Sequence, residues 1–284
     1  MKEIATVART KEIMETFDLH TKKMFGQNFI TEPGIVRKIA EASQVTKEDA
    51  VIEIGPGIGA LTEQLAMRAG KVVAFEVDER LEEVLAYSLA QYDNKEVIFQ
   101  DFLTVDVASI VGKLREQYRN VMLSANLPYY ITTPILFHIF ESNAKIDRIT
   151  VMMQKEVADR FAAKPSTKDY NALSVITQYL YEVSVVMKVP RTVFEPKPNV
   201  DSAVIQFVQR EHIEEVASRE RFFQVVKACF DQRRKTILNN YGKFLGNKEE
   251  ASRQLQEAGI EPSRRAESMS LAEFLTLYRV YEGK

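Results

Sequence analysis

Residues 50–59 read Ala-Val-Ile-Glu-Ile-Gly-Pro-Gly-Ile-Gly, and no other stretch of the 284-residue chain restricts the fold as much. The run Ala50-Val51-Ile52-Glu53-Ile54 has the make-up of a short buried strand, and it passes directly into Gly55-Pro56-Gly57-Ile58-Gly59. An apolar helical pattern follows over residues 60–69. Strand, glycine turn and helix in that order make a nucleotide-binding unit. Glycine accepts positive φ and lets the backbone approach a ligand, and the helix N-terminus adds partial positive charge. Ala60 fills the sixth place of the dinucleotide fingerprint, so the glycines alone leave the nucleotide open.

The strands that follow carry polar residues at their ends. Residues 71–75 end in Glu76-Val77-Asp78, and Glu76 stands about 20 residues beyond the glycines, where an acid accepts from a ribose diol. Asp78 and Glu79 read as helix-start carboxylates. Residues 96–99 end in Gln100-Asp101-Phe102. Asp101 there either accepts from the exocyclic amine of an adenine or caps a helix. The apolar run Val121-Met122-Leu123 leads to Asn126-Leu127-Pro128-Tyr129-Tyr130, expected where a strand gives way to a loop. Asn126 offers an amide oxygen, Leu127 a backbone carbonyl, Pro128 a stiff turn without a donor, and Tyr129 a flat ring. Two acceptors beside an aromatic face describe a pocket for a planar amine-bearing group such as adenine or cytosine. The alternative is a turn that uses Asn and Pro as turns commonly do. A fifth strand is expected over 147–153. The strand–helix rhythm predicts an α/β, Rossmann-like parallel sheet covered on both faces.

Past helical patterns at 155–162 and 170–181 the period changes. Residues 182–189 and 201–208 read as strands joined by a loop with three prolines, Pro190, Pro196 and Pro198. This predicts an antiparallel hairpin at the end of the sheet, where a dinucleotide-binding dehydrogenase would continue with parallel units. Phe194 in that loop either presents a second aromatic face or folds into the core. From residue 210 no strand pattern survives. Helices are expected at 219–231, 234–241, 248–258 and 271–281, broken at Gly242, Gly246 and Gly259, so the chain divides into residues 1–209 and a small helical domain, 210–284. Arg233-Arg234-Lys235 is its densest basic run, either a solvated helix face or a phosphate contact. Near the N-terminus, Lys22-Lys23 precede Met24-Phe25-Gly26-Gln27-Asn28-Phe29-Ile30. This stretch is either a linker whose phenylalanines plug the core or a flap in which Asn28 meets a ligand and the lysines meet phosphate.

A net charge of −2 neither announces nor excludes a nucleic-acid partner, because clustering decides. The single cysteine, Cys229, sits in an apolar helical pattern and suits a reducing compartment. None of the three histidines has metal-ligand spacing to another His or to Cys, so no metal is expected. The first 17 residues contain no unbroken apolar run of signal or anchor type, which predicts a soluble, cytoplasmic protein without a membrane partner. Nothing in the sequence calls for a dimer, and a monomer is expected.

Taken in order, glycine turn, Glu76, Asp101 and Asn126-Leu127-Pro128-Tyr129 fall along one sheet edge, as in S-adenosylmethionine-dependent methyltransferases. With Phe25-Gly26-Gln27-Asn28-Phe29, Phe194-Glu195-Pro196-Lys197-Pro198-Asn199-Val200-Asp201-Ser202 and Gln232-Arg233-Arg234-Lys235, nearly the whole chain resembles the KsgA-type small-subunit (16S) rRNA adenine-N6,N6-dimethyltransferases. The resemblance implies that Asn28, the backbone at Ile30, Gly55, Gly57, Glu76 and Asp101 hold S-adenosylmethionine. It implies that Asn126 and the Leu127 carbonyl accept from the target N6, Pro128 shaping their turn, while Tyr129 and Phe194 stack on the flipped base. Lys22, Lys23, Arg233, Arg234 and Lys235 would meet the RNA. The expected substrate is two adjacent adenosines in the 3′-terminal hairpin of 16S rRNA within the 30S subunit. The rivals are a 23S rRNA adenine-N6 methyltransferase conferring macrolide resistance, a non-catalytic RNA-binding assembly factor and, most distantly, an NAD-dependent oxidoreductase.

Overall fold

The strand that opens the glycine turn lies at the centre of the sheet. A computed structural model of the chain describes residues 2–19 and 28–283. Lys22, Lys23 and the Phe25-Gly26-Gln27 part of the expected flap lie outside the described residues. The strands are β1 (Phe29–Ile30), β2 (Ala50–Ile54), β3 (Lys71–Glu76), β4 (Lys95–Phe99), β5 (Val121–Asn126), β6 (Arg148–Gln154), β7 (Tyr181–Val189), β8 (Phe194–Glu195) and β9 (Ser202–Gln209). Seven form one sheet in the order β4-β3-β2-β5-β6-β9-β7. The β2–β3, β3–β4, β2–β5 and β5–β6 pairs are parallel, and β9 runs antiparallel to β6. Strand order reverses between β2 and β5, and in open α/β sheets a crevice opens beyond the carboxyl ends of the strands at such a point.

All five residues of β2 are buried, as expected of a parallel strand covered on both faces. Ile54 stands opposite Phe75 on one side and Ala125 on the other, so the ends of β2, β3 and β5 are level. Strand β5 is longer than its apolar run: its ladder continues through Ser124 and Ala125, and Asn126 is its last residue, opposite Met152. Asn126 is therefore held by the sheet and not by the loop.

Two further features fix the sheet edge. Strand β1 pairs with β8, with Ile30 opposite Phe194, and Thr31 N–H donates to the Val193 carbonyl at 2.9 Å. A helix at Val7–Thr16 is capped by Thr6. Its Ile13 joins Ile4, Phe29, Ile58 and Leu85 in one apolar cluster. The Ile4 N–H donates to Glu63 at 3.0 Å, which ties this segment to the helix that follows the glycine turn.

The chain forms two compact units, residues 2–158 with 184–209 and residues 159–183 with 210–283. Residues 159–183 thus group with the C-terminal helices, across the 1–209 and 210–284 division. Tyr170 is the physical reason: its hydroxyl donates to the Met269 carbonyl at 2.9 Å and its ring meets Phe230 edge-on. Tyr179 likewise meets Phe222 at 5.0 Å between ring centroids. In this unit Gly242 does not break a helix, as expected, but lies within Ile237–Leu245, where a Cβ would stand 3.3 Å from the Lys248 backbone. No helix among the described residues is long and apolar enough to cross a membrane.

Candidate active site

The glycine turn after β2 and the acid after β3 form a single hydrogen-bonded structure. Gly55 has φ +68° and donates to the Phe75 carbonyl at 2.9 Å, and a Cβ there would meet nothing within 4 Å. Gly57 has φ +58°, and a Cβ would press on the Phe29 ring at 3.2 Å. Its N–H donates to Glu76 Oε2 at 3.2 Å, while Glu76 Oε1 accepts from Val77 and Asp78 N–H at 2.9 and 3.0 Å. Burial raises the Glu76 carboxyl above its ordinary range, against the lowering effect of these three donors.

Asp101 is exposed, borders the cavity and caps the turn at Phe102–Thr104 by accepting from Leu103 N–H at 3.0 Å. In β2, just before the glycine turn, is a cavity-lining carboxyl not singled out from the sequence. Glu53 is 1% exposed, and its Oε2 has no hydrogen-bond partner. Burial pushes it up to about 8; Thr62 lowers it in part without completing a hydrogen bond, and Glu76 raises it. A lone acid within an otherwise apolar buried strand was the available signal, because an unpaired carboxyl there is costly.

Asn126 stands at the end of β5 and the Leu127 N–H donates to the Met152 carbonyl at 3.1 Å, which fixes the first two residues of the motif against β6. The Pro128 carbonyl accepts from Thr132 Oγ1 at 3.0 Å and Ile131 N–H at 3.2 Å, closing the turn. The Tyr129 hydroxyl lies 2.7 Å from Ser202 Oγ. Tyr130, also not singled out, is 57% exposed, with its hydroxyl in electrostatic reach of Asp101 and Glu76. Phe194 is 3% exposed and packs in the cluster that contains Ile30, Val36 and Val189 while still bordering the cavity. Both alternatives read from the sequence therefore hold in part: the ring is in the core, and one side of it reaches the site.

These residues border one cavity that opens to solvent. The lining includes Asn28, Ile30, Gly55, Gly57, Glu76 and Asp101 together with Asn126, Leu127, Pro128, Tyr129 and Phe194. The donor set suits a sulfonium nucleoside. Glu53 brings an unpartnered buried oxygen to the cavity, Glu76 a carboxylate for a diol, and Phe75 and Phe102 apolar walls.

The basic run lies elsewhere, in the helical unit. Arg234 and Lys235, expected within a helix over 234–241, are instead exposed in the turn before Ile237–Leu245. Arg233 is engaged within its own unit, donating to Glu267 at 3.2 Å and to the Lys168 carbonyl. No cluster of three or more His, Cys, Asp or Glu among the described residues is arranged to hold a metal ion.

The sequence model of the family described as ribosomal RNA adenine dimethylase matches residues 19–282. The ribosomal RNA small subunit methyltransferase A of Anoxybacillus flavithermus is 51% identical over 281 residues, 97% of this chain and 95% of that protein. Its namesake in Enterococcus faecalis is 50% identical over 286 residues, 99% and 97% of the two chains. Among solved structures, the 23S rRNA methyltransferase ErmE superposes with a TM-score of 0.67 at 29% identity, covering 90% of this chain and 100% of its own. A dimethyladenosine transferase from Plasmodium falciparum gives 0.75 at 24% identity over 89% and 97%, a likeness of fold. The chain belongs to the ribosomal RNA adenine dimethylase family.

Proposed function

We propose that the chain uses S-adenosylmethionine to dimethylate N6 of two adjacent adenosines in the 3′-terminal hairpin of 16S rRNA. We place it in the cytoplasm, acting as a monomer on the 30S subunit during small-subunit biogenesis. The observation that carries this reading is a single cavity lined by Gly55 and Glu76 together with Asn126 and Tyr129. S-adenosylmethionine, when bound, supplies an electrophilic methyl group on a positively charged sulfur.

The chain's own residues do the rest. The Asn126 amide oxygen and the Leu127 carbonyl accept the two hydrogens of the target amine. This favours a pyramidal nitrogen and frees a lone pair otherwise delocalised into the ring. Because β5 and the bond from Leu127 to Met152 hold both acceptors, alignment supplies most of the acceleration. Tyr129 offsets part of the cost of unstacking the base, about 1–3 kcal/mol for an aromatic face. Phe194 supports the same slot from the core, and Asp101 accepts from the cofactor's adenine amine. Arg234 and Lys235, with Lys22 and Lys23, meet RNA phosphates.

The likeness to ErmE supports a second reading, methylation of 23S rRNA, but about half of the residues are shared with the small-subunit methyltransferases against 29% with ErmE. A test in cells separates them. In a strain lacking the small-subunit dimethylation, expression of this chain should restore a reverse-transcription stop near the 3′ end of 16S rRNA. A stop in 23S rRNA alone would favour the second reading.

A further inference from the structure

The ring assigned to the target base is not held by its own turn. Tyr129 follows Pro128, which has no N–H, and the hydrogen bonds of that turn go to the Pro128 carbonyl and not to the tyrosine side chain. What meets the phenol is Ser202, 73 residues away, whose Oγ lies 2.7 Å from the Tyr129 hydroxyl. Ser202 is fully buried, opens β9 and stands opposite Gln154 at the end of β6.

The residue before it adds further anchors. The Asp201 carboxylate accepts from Arg191 N–H at 3.0 Å, and its carbonyl accepts from Lys155 N–H at 3.0 Å. Arg191 also donates through Nη1 to the Asn199 carbonyl at 2.8 Å, closing the loop that carries Phe194. The start of β9 thus fixes the Phe194 loop and the Tyr129 hydroxyl from adjacent residues. The phenol is half-buried, and burial raises its pKa, with Ser202 lowering it and Asp201 raising it.

We propose that Ser202 is a positioning residue for methyl transfer, holding the Tyr129 ring at the angle that aligns the target amine with Asn126. Without this bond the ring turns about its side-chain torsions, and the amine is presented in many orientations instead of one. Such misalignment acts on turnover and not on affinity, because the base still finds an aromatic face. The alternative is a bond that only satisfies a buried hydroxyl, which would act on stability alone. The inference rests on the proposed base-binding role of Tyr129, and the experiment separates failure of either.

Ser202→Ala, Ser202→Thr, Tyr129→Phe and the double variant Tyr129→Phe/Ser202→Ala are assayed on unmethylated 30S particles. Cofactor affinity and thermal midpoint are measured alongside. Ser202→Ala should lower kcat about tenfold or more while KM and cofactor Kd stay within about twofold. Ser202→Thr should restore turnover, and the double variant should be no slower than Tyr129→Phe. Unchanged kcat per folded molecule, or additive losses in the double variant, would overturn the assignment. A ring-fluorinated tyrosine at position 129 gives a readout independent of substrate. One narrow fluorine line that broadens or moves in Ser202→Ala supports positioning even if no acceptor RNA is methylated, whereas an unmoved line overturns it.

Discussion

The carboxylate of Glu76 accepts the backbone N–H of Gly57 at 3.2 Å, so the acid that ends β3 and the glycine turn that ends β2 move together. A cofactor contact at one is felt at the other. Glu76→Ala should therefore weaken S-adenosylhomocysteine binding about tenfold or more, the loss of a charge-assisted hydrogen bond. It should also destabilise the chain by about 1–3 kcal/mol, because three N–H groups lose their acceptor. Calorimetric titration and urea unfolding measure the two effects. A variant that loses neither would remove Glu76 from the site, and wild-type protein should show no binding of NAD.

Asn126 makes a different prediction. Its place at the end of β5 gives it one acceptor for the target amine, so Asn126→Ala should cut kcat about 10²–10³-fold, as for removal of other preorganised transition-state contacts. Cofactor affinity should change by less than about 1 kcal/mol. Equal losses in turnover and cofactor binding would move Asn126 from the target amine to the cofactor.

Glu53 makes stability depend on pH. Its carboxyl has an ordinary value of 4.5 and is pushed up to about 8 by burial in the folded chain. Between these values the folded state holds a proton that the unfolded state has released. The contribution is fully present below 4.5 and is lost as pH rises through about 8. Glu53→Gln keeps the shape without the titration. Its urea midpoint should vary less than that of wild type from about pH 5 to about pH 9 and should exceed it at the upper end. Parallel midpoints across that range would mean that Glu53 titrates normally.

Much of this fold was legible because parallel strands buried on both faces announce themselves as apolar runs; β2 was read to the residue. The end of β5 was not, because its ladder runs on through Ser124, Ala125 and Asn126 after the apolar signal has stopped. Residues 159–183 were placed with the wrong unit, since helical periodicity does not say which core receives Tyr170 and Tyr179. The cavity residues were legible as polar or glycine interruptions at strand ends. The bond from Tyr129 to Ser202 was not, because it joins residues 73 positions apart and depends on β9 lying against β6.

The basic run divides into two functions. Arg233 serves its own unit through Glu267 and the Lys168 carbonyl, so Arg233→Ala should cost stability. Arg234→Ala and Lys235→Ala should each weaken RNA binding and reduce its salt slope by about 1. Filter binding across a salt series measures this. An unchanged slope in the double variant would make the run a solvated surface.

The account stands most directly on the reaction itself. Purified protein, labelled S-adenosylmethionine and unmethylated 30S particles, with 23S rRNA in parallel, should yield N6,N6-dimethyladenosine at two adjacent positions near the 3′ end of 16S rRNA. Nucleoside mass spectrometry and site mapping read the product. Label confined to 23S rRNA, or none on either RNA with S-adenosylmethionine still bound, would contradict it.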